Sequence, residues 1–196
     1  MNARTLTATG LGVALTASLA LAQTAPKPAA GMSTPDGHGA VVARAHADIK
    51  GEGITGTADL TERKDGTFTY VELAIAVKGL KPGLHGVHLH AVGKCEPDFT
   101  AAGGHFDPGP AGNTDPDANH PYHMGDIPNL EVKADGAGML HAMTTRVSVS
   151  DGPLSIFDAD GTAIIVHGNP DQGITGESKS GVSGGPRLAC GVFTKP

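Results

Sequence analysis

Sulfur, aromatic rings and positive charge are all scarce in this chain. Of its 196 residues only Cys95 and Cys190 are cysteine, tryptophan is absent, and aromatics make up 4%. Two thiols cannot build a thiolate cage, so a metal site made of cysteine alone is excluded. With so few rings the core must come from Val, Ile, Leu and Ala, which bury less area per side chain, and such a core benefits from crosslinks. Lys and Arg number 14 against 20 Asp and Glu, a formal charge of −6, which argues against a nucleic-acid partner. The one long apolar run, residues 11–22, is too short to span a bilayer.

That run follows Arg4 and ends in Ala20-Leu21-Ala22 before Gln23, a small-residue cleavage site, so residues 1–22 read as an export signal peptide. Cleavage removes one Arg and no acid, taking −6 to −7, and no cysteine near the cut could carry a lipid. Residues 23–39 are rich in Ala, Pro and Gly and read as a flexible tether, which weakens the rival reading of the first segment as a buried helix. Residues 40–196 are left for one compact domain. The expected location is the periplasm, the cell envelope or the extracellular space. In an oxidising compartment Cys95 and Cys190 most simply form one disulfide, worth on the order of 4–5 kcal/mol for so large a loop. Two buried free thiols are the alternative.

The domain reads as strands. Segments 40–49, 54–60, 67–77, 84–90, 130–134, 139–149, 162–167 and 188–194 are β-type runs, and Arg63-Lys64-Asp65-Gly66 supplies a hairpin turn between the second and third. No segment carries an amphipathic helical stripe. The expected fold is therefore all-β, an eight-stranded antiparallel Greek-key sandwich or flattened barrel. Two connections, 91–128 and 168–187, are too long for ordinary turns, and loops of that length in a compact domain are usually functional. The first is expected to be ordered by coordination and crosslinking rather than by a core of its own.

Those loops coincide with metal-type ligands: His88 and His90, His105, His120, His123 and Asp126, then His167. In Gly86-Val87-His88-Leu89-His90, period-two alternation puts both imidazoles on one face of a strand, with Val87 and Leu89 on the other. Two histidines facing one way from a rigid element can hold one ion. The donor types point to copper or zinc.

Gly86-Val87-His88-Leu89-His90, Gly103-Gly104-His105-Phe106-Asp107-Pro108, His123-Met124-Gly125-Asp126, Ile165-Val166-His167 and Gly185-Pro186-Arg187-Leu188-Ala189-Cys190-Gly191-Val192 together strongly resemble copper,zinc superoxide dismutase. The resemblance runs over about residues 40–193 with every motif in the family's order. It implies that His88, His90, His105 and His167 bind copper, and that His105 bridges to zinc, where His123 and Asp126 complete part of the site. The family has a further zinc histidine midway between His105 and His123, where this chain reads Gly109 to Asn119 without one. His120 is the expected displaced replacement; Asp115, Asp117 or water are the competing donors. Asp171 matches the aspartate that hydrogen-bonds one copper and one zinc histidine, and such carboxylates orient imidazole ligands. Arg187 matches the arginine beside copper that attracts superoxide.

The resemblance implies dismutation of superoxide to oxygen and hydrogen peroxide by copper that alternates between two oxidation states, with His105 carrying a proton and zinc fixing His105 and its loop. A protein of negative net charge should repel an anion, so capture needs a local positive field from copper and Arg187. Steering of this kind raises association roughly 10 to 10³-fold, a range for which this enzyme family is itself a standard example. Lys179 lies in the second loop and reads as a solvated charge, not a catalytic group. His85 matches a structural histidine, and His38, His46 and His141 have no expected metal role. The resemblance leaves room for a homodimer. The rival function is a non-enzymatic copper- or zinc-binding protein of the same fold, used for metal buffering or delivery. A zinc hydrolase would need an open zinc position and a base, which a filled, bridged site does not provide.

Overall fold

In the computed structural model of the protein, residues 39–109 and 112–196 are described. The signal peptide and nearly all of the tether, including His38, lie outside the described residues. Nine strands form among the described residues: β1 (Ala40–Gly51), β2 (Ile54–Asp65), β3 (Phe68–Lys78), β4 (Gly83–His85), β5 (Val87–His90), β6 (Leu130–Val132), β7 (Ala137–Thr144), β8 (Ala163–His167) and β9 (Arg187–Val192). Among the described residues helix is limited to one 3₁₀ turn at Phe99–Ala102, capped by the Asp98 side chain. Among the described residues no helix is long and apolar enough to cross a membrane.

The strands join in the order β4-β6-β7-β3-β2-β1-β9-β8-β5, all pairs antiparallel. The two ends of this sheet, β4 and β5, are consecutive in the chain, and the sheet forms a nearly closed, flattened barrel. Its inside follows from strand alternation: Ala45, Ala47 and Ile49 on β1, Leu73, Ile75 and Val77 on β3, and Val87 and Leu89 on β5 are buried together with Phe106, Leu130 and Ile164. Full burial of each large aliphatic contributes about 1.5–3 kcal/mol, which is how a core with so few aromatic rings holds.

Most strand ends differ from the sequence expectation by a residue or two, and three departures are larger. Segment 84–90 is two strands, because Gly86 leaves the ladder: its N–H donates to the Asn169 carbonyl at 2.9 Å and its carbonyl accepts from His167 N–H at 2.8 Å. A Cβ at Gly86 would lie 3.0 Å from the Ser183 oxygen, so this crossing favours glycine. Segment 139–149 stops as a strand at Thr144. Beyond it the N–H groups of Val149 and Ser150 donate to the buried Glu62 carboxylate at 2.8 and 2.6 Å, which replaces a neighbouring strand. The β2–β3 ladder runs on to an Asp65–Phe68 pair, so the turn is the two residues Gly66-Thr67, with Gly66 at φ 58°.

Cys95 and Cys190 form a disulfide with Cα atoms 5.8 Å apart, and among the described residues there is no free cysteine. The bond fastens the first long connection to β9. The second long connection is laced to the first by Asp117, 4% exposed, whose carboxylate accepts from Gly181 N–H, Ser183 N–H and the Ser183 hydroxyl at 2.8, 3.1 and 2.9 Å.

Candidate metal centre

β5 and β8 are buried along their whole length, and both end beneath the long connections. Alternation on β5 sends Val87 and Leu89 into the core and His88 and His90 to the other face, as expected from the sequence. There the chain of His105 runs beside His90 and that of Asp126 beside His88. The rings of His88 and His90 stand 4.2 and 5.0 Å from that of His105, and 5.0 and 5.7 Å from that of His167. One donor atom each from His88, His90, His105 and His167 falls within 4.8 Å of the others.

The outer nitrogens of these rings are tied down. His90 Nδ1–H donates to the Gly103 carbonyl at 3.0 Å, His167 Nδ1–H to the Gly185 carbonyl at 3.1 Å, and His88 Nε2–H to Asp171 at 2.9 Å. A proton held on one ring nitrogen leaves a lone pair on the other. Those other atoms, His88 Nδ1, His90 Nε2 and His167 Nε2, are buried without a hydrogen-bond partner, as is His105 Nε2. Burial, helped by the neighbouring histidines, pushes His90 and His167 well below the usual histidine range, and pushes His105 down to about 4 against the pull of Asp126.

A second cluster shares His105. His105, His120, His123 and Asp126 are all buried and offer donor atoms within 4.8 Å of one another. Asp126 accepts from His105 Nδ1 at 2.7 Å and from the backbone N–H and Nδ1 of His123 at 2.9 and 3.1 Å. His120 Nδ1 lies 3.3 Å from the same carboxylate, outside hydrogen-bonding geometry, while its Nε2 meets Asp171 at 2.7 Å. Burial alone would lower His120, but Asp126 and Asp171 outweigh it and raise the group to about 9. Burial likewise works against ionisation of Asp126 and Asp171, and the histidine hydrogen bonds reverse it, holding both carboxyls well below the usual range.

His120 stands in the cluster, whereas Asp117 is committed to Gly181 and Ser183, and Asp115 accepts from the N–H groups of Asp117 and Ala118. Asp171 links the two clusters, with one oxygen on His88 and the other on His120.

Arg187, at the start of β9, is half-buried and donates to the carbonyls of Phe99 and Gly103, each at 2.6 Å. The Gly103 carbonyl therefore anchors both Arg187 and His90. Arg187, His167, Thr100 and Lys179 line one open cavity of about 450 Å³. The two ring nitrogens of His85 lie against the carbonyls of His167 and Lys81 at 2.8 and 2.9 Å, a structural clamp.

Two supporting residues have no local signature in the sequence. Arg146 donates to the carbonyls of His123, at 3.0 Å, and Asp126. Asn129 makes a reciprocal pair with the backbone of Asp171, both bonds at 2.8 Å. Both act across 20 residues or more, so no local pattern marks them.

A family model described as copper/zinc superoxide dismutase matches residues 54–193. A protein from Deinococcus radiodurans named superoxide dismutase [Cu-Zn] is 40% identical over 151 residues, covering 71% of this chain and 77% of the relative. One of the same name from Caulobacter vibrioides is 39% identical over 144 residues, covering 70% and 77%. Among solved structures, the crystal structure of the clock protein EA4 superposes with a TM-score of 0.62 at 27% identity, covering 85% of this chain and 98% of that one.

Proposed function

The chain belongs to the copper/zinc superoxide dismutase family, and from that premise we propose that each histidine cluster holds one of its two metals. The protein dismutates superoxide to oxygen and hydrogen peroxide and uses copper and zinc. We assign copper to His88, His90, His105 and His167, and zinc to His105, His120, His123 and Asp126. The observation that carries this is the set of six buried ring nitrogens without a partner, on His88, His90, His105, His120, His123 and His167. A buried polar atom left unpaired is costly, and six of them in two adjoining clusters fit donors meant for coordinated ions. The donor chemistry agrees: imidazole suits both ions, and the Asp126 carboxylate favours zinc over reduced copper.

Copper supplies the one-electron exchange by which one superoxide leaves as oxygen and a second as peroxide. The chain's own residues do the rest. His105 presents Nε2 to one cluster and Nδ1 to the other, so Nε2 is the atom placed to take up a proton and pass it to the departing peroxide. Asp171 sets the rings of His88 and His120 together. Arg187, fixed by two carbonyls at the cavity wall, holds a positive charge where the anion must approach, against a net charge of −6. Residues 40–196 form the catalytic domain, preceded by a cleaved signal (1–22) and a tether (23–39). The disulfide favours export to the periplasm or beyond.

Metal content and dismutation should be measured together for wild type, His167→Ala and His120→Ala. His167→Ala is expected to keep zinc and lose copper with activity, and His120→Ala to lose zinc. Full activity without copper, or unchanged zinc affinity in His120→Ala, would overturn the assignment.

A further inference from the structure

Away from the metal centre, soft donors gather on one strand. The outward positions of β7 carry Met139, His141 and Met143; Met139 is 65% exposed, Met143 is 64% exposed, and His141 is exposed between them. Methionine is among the more commonly buried residue types, so two at this exposure flanking one imidazole do not serve the core. Their cross-strand neighbours on β3 leave room: Met139 faces Ala76 and His141 faces Ala74. On the other edge of β7, β6 pairs only at Gly138. The outward His46, in the same row of the sheet, is engaged by Asp59 at 2.8 Å. Among the described residues His141 has no such partner.

We propose that this stripe is a surface site for Cu(I), separate from the catalytic centre. Thioether is a soft, uncharged donor that favours Cu(I) over Zn(II), Mg(II) or Ca(II), and imidazole suits copper as well. The carboxylates that share a cavity with His141 and Met143 are both engaged, Glu72 by Arg63 at 2.6 Å and Asp59 by His46 at 2.8 Å, so the stripe has the character of a soft site. Strand geometry sets how the ion sits. A rise of about 3.4 Å per residue puts Met139 and Met143 about 13–14 Å apart, beyond the reach of two thioethers to one ion. Each is about 7 Å from His141, within reach. One Cu(I) therefore rests on His141 with one thioether at a time, and the two methionines are alternative partners. An open two-donor site exchanges its ion readily, which suits pick-up or hand-over of copper rather than storage.

The test is an anaerobic Cu(I) titration of the reduced holoenzyme, loaded with copper and zinc, against a chromogenic Cu(I) chelator, with the methionine methyl signals followed by NMR. One further Cu(I) per chain is expected, with shifts of the Met139 and Met143 methyls, and Zn(II) should move neither. Met139→Leu or Met143→Leu alone should halve the affinity, the statistical loss of one of two equal partners. The double leucine variant and His141→Asn should each lose the ion while dismutation is unchanged, which shows that the fold is intact. No extra equivalent, its persistence in either of those variants, or equal shifts with Zn(II) would overturn the proposal.

Discussion

The two halves of the metal centre share His105 but are built in different ways. His88, His90 and His167 stand on β5 and β8, while His120, His123 and Asp126 stand on the connection before β6. On the strand side two backbone carbonyls and Asp171 fix the ring tautomers, and burial keeps His90 and His167 neutral. Those lone pairs are available before any ion arrives. On the loop side the order comes from charge: Asp126 gathers three imidazoles, and the two carboxylates hold a proton on His120. One half is preorganised by its backbone; the other is held by ion pairs that zinc must replace.

The strongest way to break that contrast is to remove zinc. An ion present at about a thousand times its Kd stabilises the native state by ~4 kcal/mol. For a domain of this size that corresponds to a fall in Tm of about 8–16 °C on stripping. Hydrogen exchange should show where the loss falls: amides of residues 107–128 and 168–186 should lose protection while β5 and β8 keep theirs. Equal loss in the strands would mean that both halves form one cooperative unit and that the backbone does not preorganise the copper side.

Acid should sharpen the same contrast with a smaller effect. On the proposed assignment His120 must be deprotonated to bind zinc; burial opposes its proton but the carboxylates win, raising the group to about 9. Its proton competes below that pH and is gone above it. Apparent zinc affinity should therefore rise about tenfold per pH unit, roughly a hundredfold from pH 7 to 9, then level off. His90 and His167 add no such slope, being neutral throughout that range. Chelator competition across the interval checks this, and a flat zinc profile would show that the carboxylates do not hold the proton.

The same division decided what could be read from the sequence. His88 and His90 follow from period two in five residues, because a strand fixes its side-chain directions locally. His120 carries no such mark; its position depends on Asp171, 51 residues away, and on Thr175, whose hydroxyl holds the His120 carbonyl at 2.6 Å. The splitting of β4 from β5 was hidden for a related reason. Gly86 was visible, but the Asn169 and His167 groups that take its backbone bonds were not. The roles of Arg146, Asn129 and Glu62, and the true role of Asp117, escaped because each acts on backbone far along the chain, and such bonds leave no periodic trace.

The smallest effect should fall on the copper side without touching either metal. Arg187 faces the cavity and carries the positive charge nearest His167 on its wall, so Arg187→Ile removes attraction for the anion but no donor atom. The superoxide rate should fall about tenfold, the low end of the range for electrostatic steering, to which this enzyme family itself contributes examples. Its dependence on ionic strength should flatten as well, because the attraction that salt screens is gone. Arg187 also shares the Gly103 carbonyl with His90, so loss of position must be separated from loss of charge. Arg187→Lys makes that separation: it keeps the charge and gives up the two-pronged anchorage. If it retains the salt dependence while Arg187→Ile does not, and copper content is equal in both, the residue acts through its field. If copper falls in both variants alike, Arg187 belongs to the scaffold that fixes His90, and the preorganised half depends on more than its strands.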